Sequence, residues 1–167
     1  MPATVDEIKA LRQLTGAGIM ECKEALENTG SNQEKAVELL REKGFAQAAK
    51  RSGKETTEGL VEAYIHTGGR VGAMVEMGCE TDFVARTPEF RELAHNVAMQ
   101  VAAMDPAYIT ESDIPEDEHR PPAQVTLLLQ PFIKDTSRQV SDIIQELAVK
   151  VGENVKVVRF SRLALEE

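Results

Sequence analysis

Two apolar runs joined by a five-residue loop constrain this chain more than any other feature. Val71, Ala73, Val75, Met77 and Cys79 alternate with neighbours of the other face, as a half-buried strand requires, and Leu60 to Ile65 is a second strand-like run. Between them, His66-Thr67-Gly68-Gly69-Arg70 supplies two glycines for a hairpin loop. Phe90, Leu93, Ala94, Val97, Val101 and Met104 then recur at helical spacing, behind Thr87 as an N-cap and Pro88 at the first helical position. A hairpin followed directly by an amphipathic helix predicts an α+β domain: a small antiparallel sheet packed with helices.

Upstream, residues 4 to 51 read as a helical module. Thr4 and Glu7 form a capping-box pattern ahead of Ile8, Leu11 and Leu14, and Thr15-Gly16-Ala17-Gly18 ends that helix. Ile19, Cys22 and Leu26 continue one apolar stripe as far as Gly30. Ser31 with Glu34 forms a second capping-box pattern, and Val37 and Leu40 carry a third helix to Gly44. Three short helices with a glycine-rich first turn predict a bundle of the ubiquitin-associated type. The expected organisation is that module over residues 1–51, a polar linker over 52–58 and an α+β domain over 59–167.

Downstream, Asp105 to Arg120 is acidic and lacks a period, which predicts a surface loop. Val125, Leu128, Leu129 and Phe132 suggest a short helix that Pro131 interrupts. Val140, Ile143, Ile144, Leu147 and Val151 predict a last helix ending at Gly152. Val155, Val157, Arg159, Ser161, Leu163 and Leu165 predict a closing strand of simple alternation. A second copy of the strand-hairpin-helix unit is missing.

A net charge of −9 and a pI near 4.9 argue against nucleic acid or an anionic membrane as the main partner. The acidic start Met1-Pro2-Ala3-Thr4-Val5-Asp6-Glu7 does not read as a signal peptide, and no apolar run approaches membrane-spanning length, so the expected location is cytoplasmic. Cys22 and Cys79 lie in separate segments and predict neither a disulfide framework nor a zinc site; both read as small buried hydrophobes. His66, His95 and His119 are not sequence-paired with a nucleophile, and there is no Gly-x-Ser-x-Gly elbow, His-Glu-x-x-His helix or phosphate-binding Gly-Lys-Ser/Thr. The expectation is a protein that is not an enzyme and needs no metal, cofactor or small-molecule substrate.

Glu80-Thr81-Asp82-Phe83-Val84-Ala85-Arg86 puts an acid and an aromatic at a strand-to-helix corner, where a rigid scaffold can aim side chains at a partner. By pattern alone, Phe83 is either core or contact, and Asp82 either caps a short turn or serves a partner. Arg12, Ile19 and Met20 form a second constellation. Ile19 and Met20 point about 100° apart on a helix, so one can enter the bundle while the other stays available.

Two blocks, Leu11 to Leu26 and Cys79 to Arg86, resemble bacterial translation elongation factor Ts, with weaker support from Leu39 to Gly44 and Lys150 to Asn154. Glu21 stands where the family usually has Asp, and Gly78 where Asn is common. The resemblance implies nucleotide exchange on elongation factor Tu. Phe83 would enter between two helices of the partner's GTPase domain, with Asp82 beside it near the magnesium and phosphates, and Thr81 and Val84 completing the contact. Arg12, Ile19 and Met20 would face the same domain. A chain with one copy of the sheet-and-helix unit is expected to form a homodimer through its final strand or its sheet face. The competing expectation is a ubiquitin-associated-like adaptor that docks peptides through Gly16 to Met20.

Overall fold

A computed structural model describes residues 2–165. Two compact units form, Met1–Arg51 and Ser52–Glu167.

The first unit is three helices around a small core. Helix α1 (Val5–Thr15) starts on a capping box: Glu7 accepts the Thr4 N–H at 2.8 Å and Thr4 accepts the Glu7 N–H at 3.3 Å. It stops at Gly16, whose φ of 69° suits glycine. Helix α2 (Ile19–Asn28) opens with Glu21 accepting the Gly18 N–H at 2.9 Å. Leu11, Cys22, Ala25, Leu26, Ala36 and Leu40 are buried together.

Helix α3 (Gln33–Arg51) departs from expectation at both ends. Asn32, not Ser31, caps it, through the Lys35 N–H at 3.0 Å; Ser31 turns the chain with φ 62°. The helix also runs through Gly44 to Arg51. An interior glycine costs about 1 kcal/mol, and the helix formers Ala46, Gln47, Ala48, Ala49, Lys50 and Arg51 offset it. The Arg41 guanidinium sits 5.3 Å from the Phe45 ring centre across the same turn. Leu14 and Ile19, expected on the apolar stripe, are exposed.

In the second unit, strands β1 (Glu58–Ile65) and β2 (Val71–Cys79) pair antiparallel from Glu58–Cys79 to Ile65–Gly72. Gly59 has φ 152°, and a Cβ there would lie 1.9 Å from the Met77 carbonyl oxygen, so the pairing needs glycine. A one-turn helix, α4 (Asp82–Ala85), leads into α5 (Pro88–Met104), which Thr87 caps through the Phe90 N–H at 3.2 Å. The Phe90, Leu93, Ala94, Val97 and Val101 stripe is buried, while Met104 is exposed.

The stretch expected to be a short helix is instead a single turn α6 (Pro122–Val125), a 3-10 turn (Leu127–Leu129) and a two-residue strand β3 (Pro131–Phe132) paired with β4 (Asp135–Gln139). Hydrogen bonds from the acidic segment pull this backbone out of helical register: the Ala107 and Tyr108 N–H groups both donate to the Val125 carbonyl, and the Leu127 N–H donates to the Tyr108 carbonyl. That segment itself forms a 3-10 turn at Glu111–Asp113. Helix α7 (Val140–Val151) ends at Gly152 as expected.

The last strand, β5 (Lys156–Ala164), pairs with the free edge of β2, giving the order β1-β2-β5. Its expected alternation fails at one point. Glu76 pairs with Arg159 and Met77 with Val157, so Val158 is an extra residue on β5. This bulge reverses the phase of the rest of the strand. Val157 is buried, but beyond the bulge Phe160 and Arg162 are the sheltered residues, while Arg159, Ser161 and Leu163 are exposed.

Candidate functional site

The turn from β2 into α4 is held by groups distant in sequence. One oxygen of the Glu153 carboxylate accepts the N–H groups of Glu80 and Thr81, both at 3.0 Å. The other accepts the Thr81 hydroxyl at 2.5 Å. In return, the Glu80 carboxylate accepts the Asn154 N–H at 2.7 Å. The Asn154 side-chain amide donates to the carbonyls of Ser52 and Lys54, at 3.2 and 2.8 Å. The strand end, the residues after α7 and the approach to β1 thus share one network. Charge-assisted bonds of this kind are among the stronger hydrogen bonds.

Helix α4 rises from that turn. Thr81 caps it by accepting the Val84 N–H at 3.4 Å, so Asp82 is not the cap. Asp82 instead pairs with Arg86 at 3.2 Å on the surface. Val84 and Ala85 are buried beneath the helix. Phe83 points away from them and is 79% exposed, which removes the core reading of its ring. Val84, expected among the contact residues, seats the helix rather than facing outward. Thr81 and Asp82 are half-buried.

Arg12 is exposed at the end of α1, and Ile19 and Met20 are 55% and 72% exposed at the start of α2. Neither Ile19 nor Met20 enters the core, because the inward line of α2 begins at Cys22 and continues through Ala25 and Leu26. Both apolar side chains therefore remain at the surface.

Sequence reasoning gave Glu153 and Asn154 no role. Their Gly-Glu-Asn setting marks a helix end, but no period connects it with residues 80 and 81. Two of the histidines also have partners: Tyr64 bonds His66, two residues on, at 2.8 Å, its ring lies 5.7 Å from that of His95, and His95 is 3.4 Å from Glu62, a contact that spacing could not indicate. Among the described residues, no group of three or more His, Cys, Asp or Glu is arranged to hold a metal ion, and no helix is long and apolar enough to cross a membrane.

Phe83 thus stands in solvent on a backbone corner that Glu153 braces. The fold and this corner define an α+β protein that presents side chains from fixed positions. The family model described as Elongation factor TS matches residues 4–124. Elongation factor Ts of Thermotoga petrophila is 45% identical over 195 residues, covering 100% of this chain and 98% of that protein. Elongation factor Ts of Moorella thermoacetica is 47% identical over 191 residues, covering 96% and 94%. That of Desulfosudis oleivorans is 43% identical over 190 residues, with 96% of each covered. The chain belongs to the elongation factor Ts family, and so to the factors of translation elongation.

Proposed function

We propose that this chain is a cytoplasmic guanine-nucleotide exchange factor that promotes GDP release from elongation factor Tu without covalent chemistry. The observation that carries the reading is Phe83, a large apolar side chain left in water on a braced corner. An exchange factor must bind the nucleotide-free partner better than the nucleotide-bound one. By linkage, the factor by which nucleotide weakens its binding is the factor by which it weakens nucleotide binding. A ring burying roughly 150–250 Å² in a cleft holds open a conformation that nucleotide disfavours. If Asp82 turns to the partner it gives up its surface pair with Arg86, worth about 0–1 kcal/mol, which is small beside an aromatic anchor of about 2 kcal/mol or more. Arg12, Ile19 and Met20 supply a second contact from the helical module.

The reading includes a homodimer. Val61, Ala63 and Ile65 share the outer face of β1, with Met74 opposite Ala63 and Gly72 opposite Ile65; Leu163 faces Gly72 on the other side. This row of exposed apolar residues fits a second copy of the same face.

The test is GDP release from loaded elongation factor Tu on addition of the purified chain. Acceleration at substoichiometric concentration supports exchange. Unchanged release together with retained peptide binding supports the adaptor reading instead.

A further inference from the structure

We propose that Glu153 is a positioning residue for exchange, acting through Thr81 to set the direction of Phe83. The inference rests on the reading of Phe83 as the exchange wedge.

Helix α4 has four residues, a single turn. A turn of that length does not sustain itself, since helix nucleation is unfavourable by a factor on the order of 10⁻³. Buried Val84 and Ala85 seat it, but they do not determine the path by which the chain enters it. That path is set at Glu80 and Thr81. Both of their N–H groups point at one Glu153 oxygen, so the peptide planes on either side of Glu80's Cα are held by a single acceptor.

The Thr81 hydroxyl carries the constraint forward. It has one proton, and that proton is committed to Glu153 at 2.5 Å. Its lone pairs then face the Val84 N–H and cap α4. Glu153, Thr81 and Val84 thus form one directed chain of hydrogen bonds ending beside Phe83. The reciprocal bond from Asn154 to Glu80 fixes the same corner from the other side. The network holds no atom of Phe83 itself, whose ring stays in solvent. A ring that must enter a cleft needs its backbone aimed before contact, and misplacement by about 1 Å can cost on the order of a hundredfold where geometry governs a rate.

The test combines nucleotide-release kinetics with denaturation midpoints. Glu153→Ala is expected to lower the maximal GDP-release rate, at saturating factor, by about tenfold or more. In a Phe83→Ala background the same change should add no further loss, because the residue acts through that ring. Thr81→Val, which keeps both backbone bonds to Glu153 but not the hydroxyl, should lower the midpoint through loss of the cap and reproduce much of the loss of rate in the fully folded protein, and Thr81→Ser should restore the rate. These two variants keep the idea testable if Glu153→Ala does not fold. Losses that multiply in the double variant overturn the positioning role, as does equal activity of Thr81→Val and Thr81→Ser. Normal release by Phe83→Ala alone overturns the wedge reading itself, a result separate from failure of the Glu153 relay.

Discussion

The Cys79 thiol donates to the Thr81 carbonyl at 3.1 Å, tying the last residue of β2 to the corner that carries Phe83. Burial pushes this thiol up to about 11, and the nearby Glu153 carboxylate adds to the shift. Because the folded value is raised above the ordinary 9.0, the associated stability is fully present below pH 9 and is lost as pH rises toward 11. Alkylation of native Cys79 at pH 8 is predicted to be far slower than that of the unfolded chain, as followed by mass spectrometry. Equal rates would contradict the assignment.

Phe83→Ala separates folding from function. A surface ring removed from the free protein should change stability within about ±0.5 kcal/mol. A central interface anchor should cost about 2 kcal/mol or more of binding, roughly thirtyfold in affinity. A urea midpoint beside a GDP-release titration reads both quantities, and a large loss of stability with normal release in the folded fraction refutes the wedge.

Gln100 is fully buried on α5 yet carries three hydrogen bonds: its amide donates to Gln130 Oε1 at 3.2 Å and to the Pro131 carbonyl at 3.1 Å, and its oxygen accepts the Ile133 N–H at 2.9 Å. Gln100→Leu strands these partners, so a loss of about 1–3 kcal/mol is expected. Chemical denaturation checks it; an unchanged midpoint would mean the stranded groups find other partners.

The sheet face predicts self-association. Sedimentation should give a mass near twice 18.4 kDa, and Met74→Glu or Leu163→Glu should return it to the single-chain value. A fully active protein that stays monomeric at micromolar concentration removes the dimer from the proposal.

Glu118 is held ionised by Arg120 at 2.7 Å. Bonds from the Arg120 side chain and N–H hold its carboxyl at about 2, with help from the Tyr108 hydroxyl at 3.2 Å. A depressed value means the associated stability is present above the ordinary 4.5 and is lost as pH falls toward 2. A carboxyl titration by NMR should therefore place Glu118 well below the other glutamates, and Arg120→Ala should bring it back toward them.

Local pattern sufficed where each element's own residues decide its form. The alternation in β2, the Thr87-Pro88 start of α5 and the Thr4–Glu7 capping box depend on neighbours a few residues away, and so did the α+β class. Spacing could not reveal that α3 crosses Gly44, because the Ala-rich turn beyond it outweighs one glycine. It also could not find the bulge at Val158, since an extra residue is defined only against the partner strand. The polar strand β4 carries no alternating signal and exists through its pairing with β3. The strand-to-helix pattern and the resemblance both single out Phe83, but only tertiary structure decided that its ring stands in water, that Val84 turns inward, and that a carboxylate 72 positions along the chain holds the corner. Hydrogen bonds between distant segments arise from how strands and helices pack, and they leave no period in the sequence that makes them.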